Sequence, residues 1–395
     1  MIECRTIKEL CSVVVDCPHS TPTWTVEGKI VVRSNNIKNG RIDFSSPSYT
    51  DDEHFQQRIK RATPQGGDII ITREAPMGEV GMIPEGIVCC LGQRMVLLRA
   101  NPEICDNYYL LYSLQSRYVQ HQISWSEGTG TTVSNLRIPH LEQLKIPYLP
   151  LSKQRQVSSV LRCLEGKIEQ NRVINDNLEQ QAQFYFQNLF VKNADPEWTK
   201  GTISDLGAVV GGSTPSKSKP EYYTSDGIAW ITPKDLSINK AKFISHGEND
   251  ITELGLKNSS ASVMPEGTVL FSSRAPIGYI AIASGEVTTN QGFKSVVPKP
   301  EIGTAYVYYF LKHNLPVIEG MASGSTFKEV SGNTMKNVPA VIPDTETLAR
   351  FNDFCAPIFA QQKILEKENH SLTALRDNLL PKLMSGEIDV SGIQL

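Results

Sequence analysis

The sequence predicts an α+β protein built as a tandem repeat. Two β-rich modules are each followed by a long helix, and the two helices pair as an antiparallel coiled coil. Three observations carry this reading. The turn "TREAPMG" (72–78) returns 200 positions later as "SSRAPIG" (272–278). The segments around the two turns recur in the same order. Two stretches 194 residues apart hold one 3.5-residue period over about five heptads, the mark of a coiled-coil seam.

The two modules share their parts in order. "GGDIIITREAPMGEVGMI" (66–83) aligns with "EGTVLFSSRAPIGYIAIA" (266–283). Each has a glycine, a β-branched run, an Ala-Pro-x-Gly turn and a second apolar run, which reads as strand, turn, strand. "LGQRMVLLRA" (91–100) and "NQGFKSVVPK" (290–299) each carry a Gln and a basic residue into a strand. Upstream, "IVVRSNNIKNGRIDF" (30–44) faces "AWITPKDLSINKAKF" (229–243). Downstream, "GTGTTVSNLRIPHLEQLKIPYLP" (128–150) faces "GSTFKEVSGNTMKNVPAVIP" (324–343). The modules are therefore set at 1–150 and 195–343.

The helices fill the intervals 151–194 and 344–395. In the first, the seam runs through Val157, Leu161, Leu164, Ile168, Asn171, Asn175, Leu178, Ala182, Tyr185 and Leu189. In the second it runs through Phe351, Cys355, Ile358, Gln362, Leu365, Asn369, Leu372, Arg376, Leu379 and Leu383. Asn175 and Asn369 share a heptad position, where a polar residue costs stability but fixes register. Pro150 with Ser152, and Pro343 with Asp344, mark the helix starts. A helix of ~38 residues is ~57 Å long at 1.5 Å per residue, so the pair reads as a spacer bearing two heads. Two ordinary amphipathic core helices are the plainer alternative.

Composition narrows the class. The chain is 40% apolar and 21% charged with 28 glycines, and its mean hydropathy is -0.24, as in soluble globular proteins. No apolar run approaches the ~18–20 residues that span a bilayer, and "MIECRTIKEL" has no signal-peptide core. A cytoplasmic protein is expected. The eight cysteines show no C-x-x-C pair and no zinc spacing, so reduced thiols are expected and no metal site. Net charge is -3, yet phosphate binding needs a basic face and not a basic total.

Catalytic motifs are missing. "GGSTPSKS" (211–218) ends like a phosphate loop, but Ser216 replaces its glycine and Pro215 lies inside it. It reads as a flexible lead into the second module. There is no H-E-x-x-H and no G-x-S-x-G. Asp68 and Glu74 suggest a nuclease pair only until the second module is consulted, where Thr268 and Arg274 stand instead. No catalytic residue is assigned.

The helix "LPLSKQRQVSSVLRCLEGKIEQNRVINDNLEQQAQFYFQNLF" (149–190), the segment "NLLPKLMSGEIDV" (378–390), "GGSTPSKSKPEYY" (211–223) and "GTVLFSSRAPIGYIAI" (267–282) together resemble the specificity subunit of type I restriction-modification enzymes. The resemblance covers nearly the whole chain, and its order is more specific than any one piece. It implies a DNA-binding subunit without catalysis. Each target-recognition module reads half of a split, asymmetric sequence, and the coiled coil sets the gap. Two modification subunits dock and methylate adenine from S-adenosylmethionine, and restriction subunits driven by ATP with Mg join to cut. The chain itself then holds no cofactor. It departs from the family at Pro150-Leu151-Ser152-Lys153-Gln154-Arg155, with Lys for the usual acid, and at "PDTETLARF" (343–351).

With DNA as the implied ligand, readers are sought among loop residues that differ between modules. Arg bridges guanine, and Asn or Gln bridges adenine. In the first module these are Arg33, Asn35, Asn36 and Lys38, then Arg73, Gln93 and Arg94, with Thr131 and Thr132 in a phosphate-facing turn. In the second they are Thr232, Lys234 and Asp235, then Ser272, Ser273 and Arg274, then Gln291 and Lys294, with Ser325, Thr326 and Lys328 in the matching turn. Asp235 suits either cytosine N4 or a turn cap. Trp230 reads as core. Each Arg or Lys also suits a solvated surface charge. The competing reading is a two-headed protein-interaction scaffold, and a third is a nuclease with its own metal.

Overall fold

The computed structural model describes residues 3–38, 40–125, 135–324, 328–390 and 392. The chain divides into two units, Met1–Ile168 with Ser371–Leu395, and Glu169–His370. Each long helix therefore gives one stretch to either unit.

The first unit opens with β1 (Cys4–Thr6), the single turn α1 (Ile7–Leu10) and β2 (Cys11–Asp16). A reciprocal capping box nucleates α1: the Glu9 amide donates to the Thr6 hydroxyl at 3.2 Å, and the Thr6 amide to the Glu9 carboxylate at 2.6 Å. Next come β3 (Lys29–Val32), β4 (Ile37–Lys38), β5 (Arg41–Ile42), β6 (Ser48–Thr50) and α2 (Asp52–Arg58). They are followed by β7 (Ile69–Thr72), β8 (Val80–Met82), β9 (Cys89–Leu91) and β10 (Met95–Ala100). Helices α3 (Asn107–Gln115), α4 (Arg117–Ser124) and α5 (Ile138–Gln143) lead to β11 (Lys145–Pro147) and the long α6 (Leu151–Gln187), which continues as a π-turn over Asn188–Lys192.

An antiparallel sheet in the order β2-β10-β7-β8 forms the centre of this unit. A smaller sheet pairs β3 antiparallel with β6 and parallel with β9. The Ile69-Ile70-Ile71 run is buried throughout because the central sheet is covered on both faces. The two-residue side-chain period divides it: Ile69, Ile71, Val96 and Leu98 enter one apolar cluster, while Ile70, Met95 and Leu97 enter another.

The second unit repeats this plan with β12 (Thr199–Thr202), α7 (Ile203–Leu206), β13 (Gly207–Gly211), β14 (Tyr223–Thr224), β15 (Ile228–Ile231) and α8 (Pro233–Ile238). Then come β16 (Phe243–Ile244), β17 (Asn249–Ile251), α9 (Glu253–Lys257), β18 (Val269–Ser273), β19 (Ile277–Ala283), β20 (Thr288–Thr289) and β21 (Lys294–Pro298). Last are α10 (Thr304–His313), α11 (Leu315–Gly320), α12 (Gly332–Lys336), β22 (Pro339–Ile342) and α13 (Thr345–Met384). Its main sheet runs β13-β21-β18-β19-β16, and β15 pairs in parallel with β20 as β3 does with β9. The same parity splits Val269 and Phe271 from Leu270.

The repeated turn has one geometry in both units. Ala75–Pro76 and Ala275–Pro276 are cis, and Ala75 and Ala275 lie at φ 44 and 48. The Glu79 amide donates to the Thr72 hydroxyl at 3.0 Å, and the Tyr279 amide to the Ser272 hydroxyl at 2.8 Å. Gly78 and Gly278, at φ 83 and 94, need the freedom of glycine.

The long helices pair through the expected seam within each unit. Leu161, Ile168, Ile358 and Leu365 are buried, while Leu164, Asn175, Leu178, Asn369, Leu372 and Leu379 are half-buried. In the first unit Arg376 of α13 meets Glu165 of α6 at 3.4 Å. In the second, Asn171 donates to Asn369 at 3.0 Å and to Glu368 at 2.8 Å, and Gln362 donates to the Asn175 carbonyl at 3.2 Å. Rising numbers on α6 meet falling numbers on α13, so the stretches are antiparallel.

Two expectations are corrected. The C-terminal helix stops at Met384 and does not fill 344–395. Gly386 at φ 70 turns the chain, and the Glu387 amide closes on the Lys382 carbonyl at 3.0 Å. Residues Leu383, Met384 and Val390 then bury against Tyr109, Tyr112, Val157 and Leu161. The segment 211–218 is no free lead either. The Ser213 amide donates to the Thr289 carbonyl at 2.9 Å, and the indole of Trp230, itself core, donates to the Ser213 carbonyl at 3.0 Å. Among the described residues no helix is long and apolar enough to cross a membrane. All eight cysteines are free thiols.

Candidate nucleic-acid interface

In the first unit three loops meet at the ends of β3, β7 and β9. The Gly92 amide donates to the Val32 carbonyl, and the Arg73 amide to the Arg94 carbonyl, each at 2.8 Å. These bonds bring Arg33, Arg73, Gln93 and Arg94 together. Arg33 is exposed, its guanidinium 5.4 Å from the Trp24 ring centre. Asn35 is exposed beside it, and Lys38 is exposed on β4. The Arg94 side chain is 57% exposed, with Glu74 at 3.4 Å.

Other predicted readers here have structural duties. Arg73 turns inward: its side chain is 13% exposed, grips Asp16 at 2.9 and 3.0 Å, and donates to the Leu136 carbonyl at 3.0 Å. Asn36 accepts from the Arg33 amide at 2.9 Å and closes its own turn. The Gln93 side-chain amide donates from Nε2 to the His19 carbonyl. Thr131 and Thr132 lie outside the described residues.

The second unit assembles the same loops. The Asn290 amide donates to the Ile231 carbonyl at 3.0 Å, and the Ser273 amide to the Gly292 carbonyl at 2.7 Å. Thr232 and Asp235 form the capping box of α8, with Asp235 accepting from the Thr232 amide at 2.7 Å and from the Glu248 amide at 2.8 Å. Asp235 is buried and committed, so the turn-cap reading displaces the cytosine reading. Ser272 and Ser273 are fully buried in β18 and donate to the Pro276 and Gly292 carbonyls. They do not face a ligand.

Outward positions remain for Lys234, Arg274, Gln291 and Lys328, and Lys294 lies half-buried beside them. Lys234 is exposed and pairs with Glu248 at 2.5 Å, which raises its pKa. Gln291 accepts from Thr214. Arg274 and Lys294 approach Glu329 at 3.5 and 3.8 Å. Burial lowers the Lys294 pKa, and Glu329 opposes that shift. Lys328 is exposed; Ser325 and Thr326 lie outside the described residues.

Strand register explains the corrections. Met95 faces Thr72, and Phe293 faces Ser272. The structural twin of Arg73 is thus Ser273, which is interior, and the twin of Arg274 is Glu74. The twin of Arg94 is Gly292, and Lys294 stands two residues further along its strand. Repeated arginines shifted by one position sit on opposite faces.

Sequence reasoning missed Arg58. It is buried on α2 and donates to the carbonyls of Leu91 and Gly92 at 2.8 Å, Ser20 at 3.1 Å and Pro18 at 3.3 Å. It fixes the loop that carries Gln93 and Arg94, and burial lowers its pKa. A lone arginine in a helical segment gave no sign of four distant carbonyls. The two carboxylates weighed as a nuclease pair are each committed: Asp68 grips Arg99 at 2.8 Å, and Glu74 accepts from Asn135 at 2.5 Å. Among the described residues no group of three or more His, Cys, Asp or Glu is placed to hold a metal.

A family model described as "Type I restriction modification DNA specificity domain" matches residues 4–180 and again 196–369. The MjaIX type I restriction enzyme specificity subunit of Methanocaldococcus jannaschii is 40% identical over 46% of this chain and 44% of its own length. The chain thus aligns with less than half of that relative. A putative MjaX specificity subunit of the same organism is 22% identical over 98% of this chain and 94% of its own. The solved S subunit of a type I restriction-modification system from M. genitalium shares the fold, with TM-score 0.61 and 18% identity over 97% of this chain and 96% of that one.

Proposed function

The chain belongs to the family of type I restriction-modification DNA specificity proteins, and from that premise we propose that it is the sequence-reading, non-catalytic subunit of such a system. Each unit reads one half of a split, asymmetric DNA target. The observation that carries this is the doubling itself. The family match occurs twice, and each match contains the same cis-proline turn beside the same loop cluster.

The chemistry of those loops fits a duplex. Arg33, Asn35 and Arg94 in one unit, and Lys234, Arg274 and Lys328 in the other, put cations and an amide into solvent. Exposed cations supply phosphate contacts, and Arg or Asn adds base-edge readout. The interior Arg73, Asp235, Ser272 and Ser273 shape the loops and do not touch bases. Modification subunits would bring S-adenosylmethionine and methylate adenine. Restriction subunits would bring ATP and Mg.

Methylation mapping tests this. Cells expressing the chain with a cognate methyltransferase subunit are compared with cells lacking the chain. Adenine methylation at one split motif is expected. If the chain is folded and bound to the methyltransferase but no motif appears, the protein-interaction scaffold takes the place of this reading. Salt dependence separates them as well: duplex binding falls linearly in log salt, with slope ~ -0.9 per neutralised phosphate, and an apolar protein interface does not.

A further inference from the structure

Glu329 is a carboxylate set among cations on the loop face of the second unit. One oxygen lies 3.5 Å from Arg274 and the other 3.8 Å from Lys294. Its backbone is fixed, because Glu329 and Ser323 exchange amide–carbonyl bonds of 2.9 and 3.1 Å and the Val330 amide donates to the Ser273 carbonyl at 2.9 Å. The acid is thus held beside the repeated turn.

The three side chains differ in exposure. Arg274 and Glu329 are 38% and 39% exposed, while Lys294 is 16% exposed. Lys294 is a mostly buried side chain whose ammonium also donates to the Gln291 carbonyl at 3.4 Å, and a partly desolvated cation gains from a nearby anion. Glu329 supplies one charge through two oxygens, one to each cation. A phosphodiester also carries one charge on two non-bridging oxygens. The trio therefore has the valence of a backbone-phosphate seat already filled by the protein's own carboxylate.

We infer that Arg274 and Lys294 form a DNA backbone-phosphate seat and that Glu329 is its internal competitor. A phosphate enters only by displacing the carboxylate, so Glu329 weakens binding to arbitrary duplex. Among the described residues, the matching position of the first unit has no carboxylate shared by an Arg and a Lys. Its Arg94 meets the single carboxylate of Glu74, which is also engaged by Asn135. The inference rests on the DNA-reading function proposed above and names a site within it.

The test uses the full chain and a random-sequence 30-base-pair duplex, with affinity measured by anisotropy across a salt series. Glu329→Gln keeps size and removes the charge. Glu319→Gln, from the same recess, removes equal charge without touching the trio. E329Q is expected to bind roughly 2- to 5-fold tighter at moderate salt, with a slope steeper by ~0.9 for each phosphate gained. E319Q should leave the slope unchanged. If wild type binds duplex and E329Q matches E319Q, the competitor role is overturned while DNA reading stands. If wild type shows no salt-dependent duplex binding, both fall.

Discussion

Lys242 and Glu179 form an ion pair that water scarcely reaches. Their side chains are 6% and 20% exposed. Lys242 also donates to Gln362 at 2.6 Å and Tyr309 at 3.2 Å, and its ammonium lies 4.3 Å from the Phe359 ring centre. Three elements of the second unit are thereby tied together: α6 through Glu179, α10 through Tyr309, and α13 through Gln362 and Phe359. A buried pair adds little over apolar packing, but breaking one side strands a charge. Glu179 keeps Lys312 at 2.6 Å when Lys242 is lost, whereas the Lys242 ammonium loses its one directly bonded carboxylate when Glu179 is lost and keeps only the weaker charge of Glu366. Glu179→Gln should therefore cost ~3–5 kcal/mol and Lys242→Met clearly less, as read by denaturant unfolding of the full chain.

The same pair sets an acid limit. Burial pushes the Glu179 carboxyl up, but the charges and hydrogen bonds of Lys242 and Lys312 outweigh it and hold the pKa at about 2, against an ordinary 4.5. A depressed carboxyl stabilises the fold above its unfolded pKa, and that stability is lost as pH falls toward the folded value. Wild-type stability should therefore decline between pH 4.5 and 2, and part of that decline should vanish in Glu179→Gln. Equal acid slopes in the two proteins would refute the assignment.

Arg73 and Arg274 should fail in different ways. Arg73→Ala removes the nitrogen that bonds both oxygens of half-buried Asp16, so lost stability is expected, ~2–4 kcal/mol. Arg73→Lys should rescue little, because one ammonium cannot bond Asp16, the Leu136 carbonyl and Asn135 together as the three guanidinium nitrogens do. Arg274→Ala should leave the melting temperature nearly unchanged and flatten the salt dependence of duplex binding by ~0.9. Thermal melts paired with a salt series on each variant separate the two effects.

The turn glycines grade by their surroundings. A Cβ on Gly278 would meet the Leu315 side chain at 2.6 Å, and one on Gly78 would meet Ile123 at 3.0 Å, both at positive φ. Gly278→Ala should cost more than Gly78→Ala, with both of order 1–3 kcal/mol. Unfolding midpoints give the order directly.

Periodic features of this fold are legible in the sequence. The seam residues from Leu161 to Leu383 and the Ala-Pro-x-Gly turns repeat at a fixed offset, and repetition survives without coordinates. Side-chain direction within a turn is not legible. Arg73 and Arg274 look alike as letters, yet they stand one position apart in register, so one is interior and the other faces solvent. Long-range polar pairs are equally hidden: nothing near Arg58 announces Pro18 or Gly92, and nothing near Lys242 announces Gln362. Their partners lie 34 to 120 residues away, where only the folded backbone decides proximity. Asp235 leaves a cytosine contact and a turn cap open as a letter, and the capping box with Thr232 decides between them only in the folded chain.

The tuck of Val390 beneath Tyr109 and Leu161 also dictates an order of events during synthesis. The first unit needs residues 371–390 to cover its base, and those leave the ribosome only after the whole second unit has been made. At ~5–20 residues per second, the intervening stretch of about 200 residues takes roughly 10–40 s to translate. Through that interval the nascent first unit presents Tyr109, Tyr112, Val157 and Leu161 uncovered, a surface for chaperones to hold. The part of the protein that is born first is the part that finishes last.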